Sequence, residues 1–117
     1  MTDGASARRL RILVVDDDAN SRDSLAMLLA DEGHAVDHCA SGTTALARLQ
    51  AAAYDVLLSD FMMPGMSGVE LVRAAQAAAP GLRCLVMSGH PAPADAGDMA
   101  WIAKPIDIDR LLETLAG

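Results

Sequence analysis

The chain has 117 residues, 52% of them hydrophobic, which supplies one core and leaves no room for a second domain. With 16 acidic against 9 basic residues its formal net charge is -7, a balance that repels nucleic acid and anionic membrane surfaces and argues against direct binding to either. Cys39 and Cys84 each lie inside an apolar, strand-like stretch, so they read as reduced core thiols and place the chain in the cytoplasm. The apolar stretches are too short to span a bilayer, and Met1 to Ala7 lacks a signal-peptide core.

Residues 1–10 read as a flexible N-terminal tail, with Arg8, Arg9 and Arg11 as a solvated basic cluster, and residues 11–117 as one domain. Ile12 to Val15 is a β-branched apolar run. After Asp16-Asp17-Asp18 the spacing Leu25, Leu28, Leu29 becomes helical, with Asp18 or Asn20 as the expected cap and Gly33 as the stop. Ala35 to Cys39 makes a weaker second strand, and Ser41 caps a helix carrying Ala45, Leu46 and Leu49. Asp55 to Ser59 is the third strand, and Pro64, Gly65 and Gly68 shape the loop into a helix over Val69 to Ala79. Leu82 to Met87 is a fourth strand and Trp101 to Ala103 a brief fifth. Asp107 caps a last helix whose Ile108, Leu111, Leu112 and Leu115 follow the i, i+3, i+4, i+7 stripe.

Strands and helices that alternate through short connections require parallel strands, right-handed crossovers and helices on both faces of one sheet. The strand C-termini then converge on one rim, the place where open parallel sheets bind and react. Four separate strands deliver Asp16 and Asp17, Asp60, Ser88 and Lys104 to it. Carboxylates this close repel by roughly a few kcal/mol per pair at an effective dielectric of about 20. A hard dication with oxygen ligands relieves that cost, and Mg2+, which keeps several waters and takes one or two carboxylates, suits the cluster. Once neutralised, one carboxylate can attack a phosphoryl group and become an aspartyl phosphate, a transfer that depends on positioning and charge stabilisation.

Lys104 is the only lysine, against eight arginines, so a compact point charge stands here where a planar fork is used everywhere else. Its bland alternative is a surface lysine before a proline. For Ser88 the alternative is a turn residue before Gly89, and methionines 62, 63, 66 and 87 are most simply filler for irregular gaps.

In combination, Val14-Val15-Asp16-Asp17-Asp18, Asp60 through Pro64 to Gly68, Met87-Ser88-Gly89 and Ala103-Lys104-Pro105 resemble the response-regulator receiver domain of two-component signalling. The chemotaxis (CheY-like) members are its best-known single-domain form. The resemblance runs from Arg11 to Ala116. It implies an α/β fold, a single doubly wound five-stranded parallel sheet of flavodoxin-like order 2-1-3-4-5. It also implies that Asp60 is the phosphoacceptor, charged by a histidine kinase or phosphotransfer protein. Asp17 would ligate Mg2+ directly and Asp16 largely through water, with Asp60 and the Met62 carbonyl completing the protein ligands. Lys104 would pair with the phosphoryl oxygens, Ser88 would be the switch hydroxyl and Trp101 the switch aromatic. Such a module is no conventional enzyme, although it catalyses its own phosphorylation and dephosphorylation.

Two departures qualify the resemblance. Sixteen positions separate Ser88 from Lys104, and the stretch His90 to Asp98 holds two prolines and a glycine, which disfavour a helix interior by about 3 and about 1 kcal/mol respectively. The fourth helix is therefore expected to be short or missing, at best one turn near Ala94 to Ala96, with Trp101 left more exposed. This remodels the surface that commonly carries dimerisation and output, and the residues specify no oligomeric state. Met62 and His90 flank the approach of a hydrolytic water and neither is an amide or carboxylate, so slow phosphoryl loss is expected unless His90 orients that water. The rival reading is a small phosphohydrolase of the haloacid-dehalogenase type, with Asp16 and Asp18 at the required spacing but no hydroxyl or β-branched residue at Ala19 or Asn20. A degenerate receiver acting only as a binding module is a third reading, which the intact Asp60, Asp17 and Lys104 set opposes. Met1 reads as a native start, either of a stand-alone receiver or of a longer regulator.

Overall fold

The run Arg-Ile-Leu-Val-Val offers β-branched side chains to both faces, as a strand sandwiched between two helical layers requires. In the computed structural model, which describes residues 9–97 and 99–116, it forms β1 (Arg11–Val15). Ile12 and Val14 enter one core and Leu13 and Val15 the other. The chain continues through α1 (Ala19–Asp31), β2 (Ala35–Cys39), α2 (Gly42–Ala51), β3 (Val56–Asp60), α3 (Gly68–Ala78), β4 (Arg83–Ser88), a 3-10 turn over Ala94–Ala96, β5 (Ala100–Ala103) and α4 (Ile108–Ala116). All strand pairs are parallel and the sheet order is β2-β1-β3-β4-β5, as the family resemblance implies.

The two faces are covered by different helices. Leu25 and Leu29 of α1 and Leu111 and Leu115 of α4 pack with Ile12, Val14, Val56, Leu58, Leu85 and Met87 on one side. On the other, Ala45 of α2 and Leu71, Val72 and Ala75 of α3 pack with Leu13, Val15, Leu57, Cys84 and Val86. Cys39 and Cys84 are free, buried thiols. Burial raises both above their ordinary value, Cys84 to about 11, so both stay protonated and unreactive near neutrality.

Helix ends carry the caps that the sequence suggests. Asp18 accepts the Ser21 N–H at 2.9 Å at the start of α1, Ser41 accepts the Thr44 N–H at 3.2 Å, and Asp107 accepts the N–H groups of Asp109 and Arg110. At α3 the cap is reciprocal: Ser67 takes the Glu70 N–H while Glu70 takes the Ser67 N–H. Among the described residues between β4 and β5, the crossover makes only the three-residue turn at Ala94–Ala96, as the prolines predict.

Some boundaries differ from the sequence reading by one residue. β3 ends on Asp60 rather than Ser59, β4 on Ser88 rather than Met87, and α3 begins at Gly68. Most of the expected N-terminal tail lies outside the described residues. Leu10 is buried in the core, its N–H donated to His34 Nδ1 at 3.1 Å. Arg11 belongs to β1, with its guanidinium over the Tyr54 ring at 5.3 Å. Among the described residues no helix is long and apolar enough to cross a membrane.

Candidate functional site

Register brings the chemistry together. Val15 lies beside Ser59, Asp60 beside Met87, and Ser88 beside Ala103, so the next residue of each strand falls on one rim at the C-terminal edge of the sheet. Asp16 and Asp60 are buried there while Asp17 is exposed, and one carboxylate oxygen from each of the three lies within 4.8 Å of the others. Lys104 closes the group, its ammonium donating to Asp60 Oδ1 at 2.6 Å and standing 3.9 Å from Asp16 Oδ2. Its own N–H is fixed on the Ser88 carbonyl at 2.9 Å, and the Lys104–Pro105 peptide that follows is cis.

The carboxylates are held at unequal cost. Asp16 sits above its ordinary pKa because it is buried; the neighbouring charges of Asp60 and Asp17 add to that, whereas the Asp18 N–H at 2.9 Å and Lys104 oppose it. Asp18 moves the other way, lowered first by its hydrogen bonds at Ser21. It is spent on capping α1 in the open, and that leaves Asp16 without the second acid of the phosphohydrolase reading. A surplus of buried negative charge with oxygen donors and an exposed third carboxylate fits a hard dication.

Around this centre the loops are tightly built. Gly68 must be glycine, since a Cβ there would lie 2.4 Å from the Asp60 carbonyl oxygen, and Gly65 takes φ +84°. The Phe61 N–H donates to the Met87 carbonyl at 2.9 Å and the Gly68 N–H to the Phe61 carbonyl at 2.8 Å, binding the loop to the strand tip. Met62, two residues past Asp60, leaves its side chain 62% exposed beside the site. Ser88 is buried, and its Oγ accepts the His90 N–H at 2.9 Å.

Trp101 is half-buried, one step back from the rim. Its Nε1–H donates to the His90 carbonyl at 2.9 Å, and its ring meets Phe61 with centroids 5.1 Å apart. The chain's single phenylalanine and single tryptophan therefore touch, a contact no local pattern announces. Arg22 is another residue that spacing alone does not disclose: from α1 it turns back to donate Nη1–H to the Asp16 carbonyl at 3.2 Å.

A doubly wound parallel sheet whose rim gathers three carboxylates against one lysine defines a class, the α/β phosphoacceptor module. The family described as response regulator receiver domain matches residues 12–116, and the chain belongs to that family: it is a phosphoacceptor receiver module of two-component signalling. It is 36% identical over 110 residues to a response regulator receiver protein of Anaeromyxobacter sp. strain Fw109-5, covering 88% of this chain and 46% of that protein. Among solved structures it resembles the chemotaxis protein CheY4 of Vibrio cholerae, with a TM-score of 0.83, 32% identity and coverage of 92% and 97% of the two chains. It also resembles the response regulator TrrA of Thermotoga maritima, described in complex with Mg2+ and BeF, with a TM-score of 0.82, 29% identity and coverage of 91% and 96%. The chain spans less than half the length of the first curated relatives it matches.

Proposed function

We propose that Asp60 is the phosphorylated residue, charged by a histidine kinase or phosphotransfer protein in the cytoplasm. The observation that carries this reading is the Asp60 carboxylate at the end of β3, paired with Lys104 at 2.6 Å inside the acidic cluster. An Asp60 oxygen forms the new bond to phosphorus while the bond between phosphorus and the donor's imidazole nitrogen breaks, and the imidazole leaves with that electron pair. Lys104 then exchanges its carboxylate partner for the phosphoryl oxygens, a charge-assisted contact. Asp17, Asp16, Asp60 and the Met62 carbonyl are the groups that would hold Mg2+. When bound, that cation supplies positive charge to the carboxylates and to the developing phosphoryl charge. The Mg2+-BeF complex of the Thermotoga relative supports this assignment.

Ser88 is the switch hydroxyl in this reading. A phosphoryl group adds about -1.5 to -2 of charge at pH 7. Its oxygens accept from the Ser88 hydroxyl and draw it towards the site; the Ser88 oxygen takes the His90 N–H, and the His90 carbonyl in turn holds Trp101. The local charge thus biases a two-state loop through bonds already in place. The test is a beryllofluoride titration with and without Mg2+, followed by Trp101 fluorescence and by acetyl phosphate labelling. The wild type responds only with Mg2+ and takes up one phosphoryl group per chain, and Asp60→Asn does neither. Labelling of Asp60→Asn, or turnover that depends on Asp16, would overturn the assignment.

A further inference from the structure

We infer that Arg22 is a positioning residue for the cation site, holding Asp17 in place through the backbone without touching the site. The inference rests on the acidic cluster being the Mg2+ site proposed above. Asp17 is exposed, and its backbone is flanked by two planar peptide units that are each tied down. The unit between Asp16 and Asp17 is held at its oxygen by Arg22 Nη1 at 3.2 Å, and the unit between Asp17 and Asp18 at its N–H by Asp16 Oδ1 at 2.9 Å. Asp16 itself is anchored behind by its N–H on the Cys39 carbonyl at 3.2 Å. With both planes tied, the backbone dihedrals of Asp17 are restrained, and so is the direction of the Cα–Cβ bond that carries its carboxylate. Of the two ties, only the one from Arg22 comes from outside the loop.

Fold stability does not by itself call for arginine here. The side chain is 17% exposed and makes one hydrogen bond among the described residues. Its Nε is buried with no hydrogen-bond partner, Asp23 Oδ1 standing 3.7 Å away. A charge desolvated to this extent for one hydrogen bond is a weak stabiliser, and an apolar side chain of similar length serves packing as well. The orientation of a ligand-bearing loop is where the arginine has an effect. Groups that orient metal ligands without binding the metal commonly account for about 10–100-fold in affinity.

The charge of Arg22 alone would act in the opposite direction, since removing a cation near an acidic cluster tightens divalent binding. The sign of the change therefore separates positioning from electrostatics. Mn2+ binding to the 117-residue chain is measured by electron paramagnetic resonance, with Mg2+ as competitor, for wild type, Arg22→Met, Arg22→Gln, Arg22→Lys and Asp17→Asn, well below each variant's melting temperature in EDTA. We expect Arg22→Met, or Arg22→Gln should the first not fold, to bind about 10-fold more weakly, and Arg22→Lys, which keeps a donor for the carbonyl, to recover part of that loss. Affinity equal to or tighter than wild type in the Met or Gln variant overturns the inference even if its melting temperature falls, and leaves the site reading intact so long as Asp17→Asn binds poorly. Absence of Mn2+ binding by the wild type, or full affinity in Asp17→Asn, overturns the site reading and this inference with it.

Discussion

Replacing Asp16 by Asn is expected to stabilise the cation-free protein at pH 7 and to blunt its stabilisation by Mg2+. Carboxylate oxygens within 4.8 Å repel by roughly 3 kcal/mol per pair at an effective dielectric of about 20, and Lys104 at 3.9 Å attracts Asp16 by roughly 4 kcal/mol on the same scale. Asp16 faces two such carboxylates, so a repulsion of roughly 6 kcal/mol exceeds that attraction, and the burial of Asp16, which is 3% exposed, adds to the cost of its charge. Asn keeps an oxygen for the Asp18 N–H and carries no charge, and we expect a gain of about 1–2 kcal/mol, or about 4–8 °C per kcal/mol for a domain near this size. Because the folded pKa of Asp16 is raised, its contribution to stability is fully present below the ordinary value of 3.8 and is lost as pH climbs through the folded value. The advantage of Asn therefore grows from about pH 4 to pH 7. Circular dichroism melts in EDTA and in Mg2+ test this, the wild type gaining about 2.7 kcal/mol at a cation concentration about 100 times its Kd and the variant less. An Asn variant no more stable than wild type in EDTA at pH 7, or equally favoured at both pH values, would refute the reasoning.

Three further outcomes follow from the loops around the site. Met62→Asn places an amide beside Asp60, where a hydrolytic water is expected to approach, and phosphoryl loss from the labelled protein should accelerate; an unchanged half-life removes that role from the position. Gly68→Ala drives a Cβ into the Asp60 carbonyl, and the urea midpoint should fall in line with a loss of about 1–3 kcal/mol, together with reduced labelling by acetyl phosphate. Ser67→Ala breaks one arm of the reciprocal cap on α3 and should lower stability by about 1 kcal/mol in the same urea assay while leaving labelling of Asp60 unchanged.

Residues whose position follows from local pattern are legible in the sequence itself. Asp60, Lys104 and Asp16 each end an apolar run, and parallel topology then sends them to one rim. Asp18 and Ser41 are read as caps because capping is a local interaction. The prolines at 91 and 93 limit the β4–β5 crossover to the turn at Ala94–Ala96. Strand ends slip by one because strands buried on both faces show no alternation to set their limits, as in the wholly buried β3. The Ser67 to Glu70 cap does have a local signature, but it sits inside the Pro64 to Gly68 run, which reads as loop. Arg22 and the Phe61–Trp101 contact lie out of reach for a different reason. Each joins groups through tertiary geometry, and nothing near Arg22 in sequence tells that its guanidinium returns to a carbonyl six residues earlier.

Among the described residues, the β4–β5 crossover carries a single short turn in place of a helix, which leaves the two sides of the sheet unequally covered. Asp60 ends β3, a central strand buried at every position, whereas β5 is a four-residue edge strand with Ala100 and Ala103 exposed and only a single turn guarding its approach. Segments with few buried contacts open at far lower free energy than the core. In the proposed reading, a phosphoryl mark is written on a fully buried central strand and read out at a thinly covered edge. Phe61, next to Asp60, and His90, past Ser88, both meet that edge directly at Trp101.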